Sequence, residues 1–173
     1  DQTRARVTRL GDNRILEVWQ SDDSGDGSGT TIRARIIASS GDPAAAGTST
    51  EFIVDTTGTG DQLRPLILSF DDGRKLIYWH SFEDGTDTIR GRFVHANGTV
   101  DASDFVIGHL PDTAVPTLTL GLLANQQLVY VYSGTGSSDG NGAGISGAIG
   151  STDDPAAAGR RSARARAAAS SWA

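Results

Sequence analysis

The chain has no cysteine and no methionine, and aromatic residues make up only 6% of its 173 positions. Without cysteine, disulfides, thiolate metal sites and cysteine nucleophiles are excluded. That absence does not assign a reducing compartment, because a bacterial secreted protein that avoids oxidation on export has the same composition. Without methionine, the flexible filler of promiscuous binding surfaces is missing. No run approaches the roughly 18 apolar residues of a membrane helix, so no membrane span is expected. The first residue is Asp1 and no signal peptide is visible, so the sequence reads as a processed form or an excised piece.

Glycine, at 22 residues, is abundant. With plentiful Thr, Ser and Asp it predicts many turns and short strands. The net charge is −6, but the last fourteen residues carry four Arg and no acid, which leaves residues 1–159 at −10. An acidic body repels nucleic acid and favours cations, so nucleic acid is not expected as a partner. Residues 160–173 form a basic Ala/Arg tail.

An internal repeat dominates the sequence. At an offset of sixty residues, Asp1, Gln2, Arg4, Asp12, Arg14, Leu16, Trp19 and Ser21 meet the identical Asp61, Gln62, Arg64, Asp72, Arg74, Leu76, Trp79 and Ser81. A third copy keeps Asp112, Pro116, Leu128 and Ser133. The copies run over about 1–60, 61–111 and 112–159, one all-β domain. Each reads as four short antiparallel strands, with turns such as Asp72-Gly73 and Asn97-Gly98. In the third strand Ile32, Ala34 and Ile36 alternate with Arg33 and Arg35, and Ile89, Gly91 and Phe93 with Arg90 and Arg92. The second strand, through Leu76, Ile77, Tyr78 and Trp79, is apolar on both faces, so sheets must stack on each other. The third copy lacks its fourth strand: after the repeated DPAAAG the chain reads RRSARARAA.

Three tandem four-stranded antiparallel repeats predict a β-propeller-like fold, with six blades from a dimer as one way to close the ring; the alternative is a β-trefoil. A homo-oligomer is accordingly an expected partner.

The pattern of Trp19 and Ser21, Asp26-Gly27-Ser28-Gly29, Ile32 and Arg35, Glu51, Phe52 and Val54, then Gly60, Asp61, Gln62 and Pro65 resembles repeats of secreted bacterial hemolysin-type (RTX-associated) calcium-binding proteins and adhesins. The second copy keeps Trp79, Ser81, Gly85, Ile89, Arg92, Phe105 and Pro116; the third lacks the Trp and the Arg. The resemblance spans nearly 1–159 and implies an extracellular or cell-surface bacterial protein. The glycine-rich calcium nonapeptides are absent, so their binding mode does not transfer.

Connections in an antiparallel unit alternate between two ends of the sheet. The loop after each second strand and the link to the next copy share an end, which gathers Asp22, Asp23 and Asp26, Glu83, Asp84 and Asp87, and Asp139 and Asn141 with Asp61 and Asp112. Oxygen donors of this kind suit calcium, the expected cofactor, although Asp and Gly are also ordinary turn formers. Trp19 and Trp79 serve either as sugar platforms or, given their equivalence and Val131 in the third copy, as inter-sheet packing. Arg33, Arg35, Arg90 and Arg92 are candidate ligand-binding residues for carboxylate or sulfate, or else partners of nearby acids. His80, His95 and His109 are too dispersed for a local metal motif, and no recognised nucleophile or phosphate-loop motif occurs. The run SFEDGTDTI is similar to the Asp-box turn of sialidases without its terminal Trp. The sequence thus predicts a non-catalytic extracellular binding or adhesion module, calcium-dependent and glycan-binding. The alternatives are a polysaccharide-active hydrolase or lyase on a β-scaffold and a purely structural, self-assembling repeat.

Overall fold

A computed structural model describes residues 1–23, 29–42, 44–56, 59–83, 85–110, 117–124, 127–135 and 143–151. Among these residues every regular element is a strand. The first sheet is a meander in chain order, β1 (Gln2–Arg9), β2 (Ile15–Ser21), β3 (Thr31–Ile37) and β4 (Phe52–Ile53). The second follows the same order, β5 (Asp61–Ser69), β6 (Lys75–Glu83), β7 (Thr86–Val94) and β8 (Phe105–His109). The third holds β9 (Leu118–Leu122), β10 (Gln127–Thr135) and β11 (Ala143–Ser151), with β10 central. The expected missing fourth strand of the third copy and the 160–173 tail lie outside the described residues.

The repeat extends to irregular features. Both β1 and β5 shift register, between Thr3 and Arg6 and between Leu63 and Leu66. At each shift an arginine, Arg4 or Arg64, takes φ 57°. A bulge with one residue in the left-handed region twists the strand locally and costs about 1 kcal/mol when that residue is not glycine. The cost recurs sixty residues apart, so the bulge belongs to the repeat.

Three hairpins close with one turn. Leu10, Phe70 and His95 each donate their N–H to the carbonyl four residues on (Arg14, Arg74 and Thr99) and accept from residue three (Asn13, Gly73 and Gly98), all at 2.8–3.1 Å. Asn13, Gly73 and Gly98 are the left-handed residues, as the turn requires. A side-chain oxygen braces each from within, Asp12 to the N–H of Arg14, Asp72 to Arg74 and Asn97 to Thr99.

The chain divides into two compact units, Asp1–Gly85 with Arg90–Phe105, and Thr86–Ile89 with Val106–Ala173. In the first, one face of the first sheet (Leu16, Val18, Ile32, Ala34, Ile36, with Val54 beyond β4) packs against Ile77 and Trp79 of β6. Trp79 is fully buried, as both-face burial of the second strand requires. In the second unit Leu120, Leu128 and Tyr130 are buried, Tyr130 stacks on Tyr132 at 6.3 Å, and the N–H of Leu110 donates to the carbonyl of Asp87.

Candidate functional site

The repeated Trp, Ser and Gln residues meet in one buried clamp. Gln62 and Ser81 are opposite each other in the β5–β6 ladder, and Trp79 is two residues before Ser81, on the same face of β6. The indole Nε1 of Trp79 donates to Gln62 Oε1 at 2.7 Å, and Ser81 Oγ donates to Glu83 Oε1 at 2.7 Å. The clamp joins the two sheets as well, because the N–H of Gln62 donates to Thr30 O and Thr30 Oγ1 donates back to Gln62 O. These motif residues are therefore structural in the second copy. In the first copy Gln2 is exposed and Trp19 half-buried.

The four arginines named from sequence are engaged within the fold. Arg33 pairs with Glu51 at 2.6 Å and with Asp23 at 3.4 Å; Arg90 stands in the same way to Asp104, at 2.6 Å, and Glu83, at 3.9 Å. Arg35 pairs with Glu17 at 3.1 Å. Arg92 takes no such pair: it donates to the carbonyls of Ile53, Val54 and Asp101 at 2.8–3.1 Å. Burial pulls the Arg92 guanidinium below its ordinary value, against the raising influence of Asp104, Asp101 and Asp55.

The acidic residues named from sequence are placed as follows. The N–H of Asp22 donates to Asp1 O, and its carboxylate pairs with the amino group of Asp1 at 3.3 Å. Asp61 Oδ1 accepts from the N–H of Thr30, so the loop after β2 and the link to the second copy do meet at one end. Asp23 and Glu83 are committed to Arg33 and Arg90. Asp87 is buried. Asp26, Asp84, Asp112, Asp139 and Asn141 lie outside the described residues. Among the described residues no three His, Cys, Asp or Glu side chains are gathered so as to hold a metal ion.

The opposite end carries a site that no sequence motif marks. Two of the three like turns, 70–74 and 95–99, border an open cleft of about 410 Å³ lined by Asp72, Arg74, His95, Ala96, Asn97 and Thr99. The third turn reaches in, as Arg14 Nη2 donates to Asn97 O at 2.5 Å. Arg74 is fixed from two sides: Asp72 Oδ2 accepts from its Nε at 2.6 Å, and its guanidinium sits 4.9 Å from the Phe93 ring centre and 5.4 Å from that of Phe70. His95 Nε2 lies 2.8 Å from Asp101 Oδ1. At Asp72, desolvation raises the carboxyl, but hydrogen bonds from the N–H and guanidinium of Arg74 outweigh it and hold the group below its ordinary value. At Asp12 the hydrogen bond from the Arg14 side chain does the same. The signal for this site was present as three Asp/Asn-x-Arg/Thr turns, but turn chemistry explains those residues without a ligand. Their convergence becomes visible only in three dimensions.

No protein-family model matches the chain, and no curated protein sequence does. Eight chains of solved structures match it. One is the crystal structure of an endo-arabinase from Bacteroides thetaiotaomicron, with a TM-score of 0.55 and 12% identity, over 87% of this chain and 56% of that one. The likeness is one of fold. The chain spans little more than half the length of that protein.

Proposed function

We propose that the chain is a non-catalytic, extracellular binding module of bacterial origin, built from β-propeller-like blades, that holds carbohydrate in the turn-end cleft. Two four-stranded meanders in chain order, one packed by its face on the other, are what blades look like and favour this architecture over the β-trefoil. The observation that carries the ligand class is the lining of the cleft. A carboxylate, a guanidinium 4.9 and 5.4 Å from two aromatic ring centres, an imidazole and an amide converge on an open surface. Such planar donors and acceptors match the hydroxyl pairs of a sugar, and a rigid scaffold that presents them from turns is the usual form of a binding site. Calcium is proposed only for the loop that holds Asp22, Asp23 and Asp26 and its counterpart around Glu83 and Asp84; calorimetry on chelator-treated protein would show heat on adding the ion.

A second reading, a polysaccharide-active enzyme, is favoured by the fold shared with an endo-arabinase and by the His95–Asp101 pair beside the cleft. One experiment addresses both. Affinity electrophoresis through gels containing arabinan or other neutral and acidic polysaccharides should retard the chain, and His95→Ala with Asn97→Ala should abolish retardation. Reducing-end release from a retarding polysaccharide would establish the enzyme instead. The absence of both retardation and release across the panel would remove the carbohydrate reading.

A further inference from the structure

The turn-end cleft is richer in donors than a site for hydroxyls alone requires. Arg74 spends its backbone N–H on Asp72 Oδ1 at 3.0 Å and its Nε on Asp72 Oδ2 at 2.6 Å. Among the described residues nothing accepts from either Nη, and the side chain is 31% exposed. Arg14 stands at the same position of its own turn and shows the alternative. Its Nη2 is taken by Asn97 O at 2.5 Å and by Asp12 Oδ2 at 2.6 Å. One copy uses this arginine to fasten turn to turn, and the next leaves its Nη groups unspent beside the cleft.

Asn97 adds to the excess. Its Oδ1 accepts from the N–H and the Oγ1 of Thr99, at 3.0 and 2.8 Å, which fixes the amide and leaves Nδ2 as a donor with no acceptor among the described residues. Asp72 and Arg74 balance in charge, and both Asp72 oxygens are engaged by Arg74. His95 Nε2 faces the carboxylate of Asp101 at 2.8 Å and so carries a proton, which makes Nδ1 an acceptor when the ring is neutral. The N–H groups of Arg74 and Asn97 thus outnumber the lining side-chain acceptors that are not already engaged, His95 Nδ1 and Thr99 Oγ1. A hydroxyl donates as readily as it accepts, whereas an ionised carboxylate only accepts. The paired N–H bonds of a guanidinium edge match its two oxygens, and such charge-assisted bonds are about twice as strong as neutral ones. The guanidinium is already fixed by Asp72 and by the Phe93 and Phe70 rings, so little freedom is lost when a ligand arrives.

We infer that the cleft binds an acidic sugar, a uronic acid unit of a polysaccharide. Arg74 Nη1 and Nη2 take its carboxylate, with Asn97 Nδ2 beside them, and His95 Nδ1 accepts from a ring hydroxyl. The inference rests on the carbohydrate reading and narrows it to one class of sugar. The chain's net charge of −6 disfavours a polyanion at large, so retention of one has to come from a local site.

The test is affinity electrophoresis of the whole chain, at about 0.15 M salt, through polygalacturonate, alginate and a glucuronate polymer, each beside its carboxyl-reduced counterpart. At least one uronate polymer should retard the chain, and carboxyl reduction should weaken that binding at least about tenfold. Asn97→Asp is the discriminating variant, because aspartate already holds this turn position as Asp12 and Asp72 and supplies the same bracing oxygen. It replaces the Nδ2 donor with a negative charge and should weaken binding of the uronate polymer at least about tenfold, more than binding of the reduced one. Arg74→Lys keeps the charge without the planar fork and should act in the same direction. Equal retardation by a uronate polymer and its reduced counterpart, or retardation by neutral polysaccharides alone, overturns this inference while the carbohydrate reading stands. A sulfated galactan held more tightly than every uronate polymer overturns the carboxylate in favour of a sulfate ester. Retardation by a uronate polymer that both variants leave unchanged overturns the inference by placing the acid's site elsewhere. Retardation by no polysaccharide removes both readings.

Discussion

Replacing Gln62 and Gln2 by alanine, one at a time, measures how far two equivalent residues have diverged in what they do. Gln62 is fully buried; its Oε1 is the acceptor for Trp79 Nε1, and its Nε2 lies 3.4 Å from Glu83 Oε1. Gln62→Ala leaves the indole N–H of a fully buried tryptophan without an acceptor, a cost of about 1–3 kcal/mol. It also removes one methylene and a carboxamide from a closed interior, which adds about 1 kcal/mol or more where the site cannot collapse. Glu83 retains Ser81 and Arg90, so no larger electrostatic loss is added. The total is about 2–4 kcal/mol. Gln2 is exposed at the start of β1, so Gln2→Ala should fall within about 0.5 kcal/mol. Urea unfolding followed by tryptophan emission, at a protein concentration low enough to dissociate any dimer, gives both differences from the shift of the midpoint at constant m. Equal losses in the two variants would refute the argument, since they would mean that the clamp is either closed in both copies or energetically idle in both. A double cycle with Trp79→Phe supplies the check: the cost of Gln62→Ala should shrink once the indole N–H is gone.

Two further outcomes follow from the same geometry. Gly60 has φ +85° and an added Cβ would strike the carbonyl of Phe82, while Gly85, at φ +76°, faces open space. Gly85→Ala should therefore cost about 1 kcal/mol and Gly60→Ala about 2–4 kcal/mol or more in the same urea assay. Asp12 and Asp72 are held below their unfolded value of 3.8, so what they add to stability is complete above that value and is lost as pH falls through their lower folded values. The stability gap between the wild type and an Asp12→Asn, Asp72→Asn double variant should be constant above about pH 5 and close as the pH drops below the carboxylate range, whereas a gap that widens in acid would contradict the assignment.

The strands and turns were legible because they rest on local chemistry. Alternation of Ile32, Ala34 and Ile36 with Arg33 and Arg35 requires a strand with two unlike faces, and Asp72-Gly73 and Asn97-Gly98 supply the left-handed residue that their hairpins use. The strand order of the first two sheets follows from four strands joined by short links. Less was legible at the level of sites. The sequence shows that Arg92 repeats Arg35, but not that one reaches carbonyls of the preceding sheet while the other pairs with Glu17 on its own sheet. That difference lies in what covers each sheet, which a pattern internal to the strand does not encode. The acidic residues of the loop end look alike in sequence, yet Asp22 pairs with an amino group, Asp61 accepts from a backbone N–H, Asp23 and Glu83 pair with arginines, and Asp87 is buried. The cleft at the other end is silent in sequence because its residues already have turn roles.

The divergence between equivalent positions also says how the repeat works. A residue such as Trp79 is stabilising only when its own sheet is capped by another, since its indole needs both a Gln on the neighbouring strand and an apolar face above it. The same residue on an uncapped sheet, Trp19, keeps its ring but loses its acceptor. Arg33 makes the point with charge: its ion pairs are of the kind worth little in water, while those of Arg90, with Asp104 fully enclosed, act in a low-dielectric setting where breaking one partner is costly. The second sheet therefore brings a half-finished interface that the first sheet completes. Stability in such a chain belongs to the junctions more than to the single sheets, as the nearest-neighbour behaviour of repeat proteins demands.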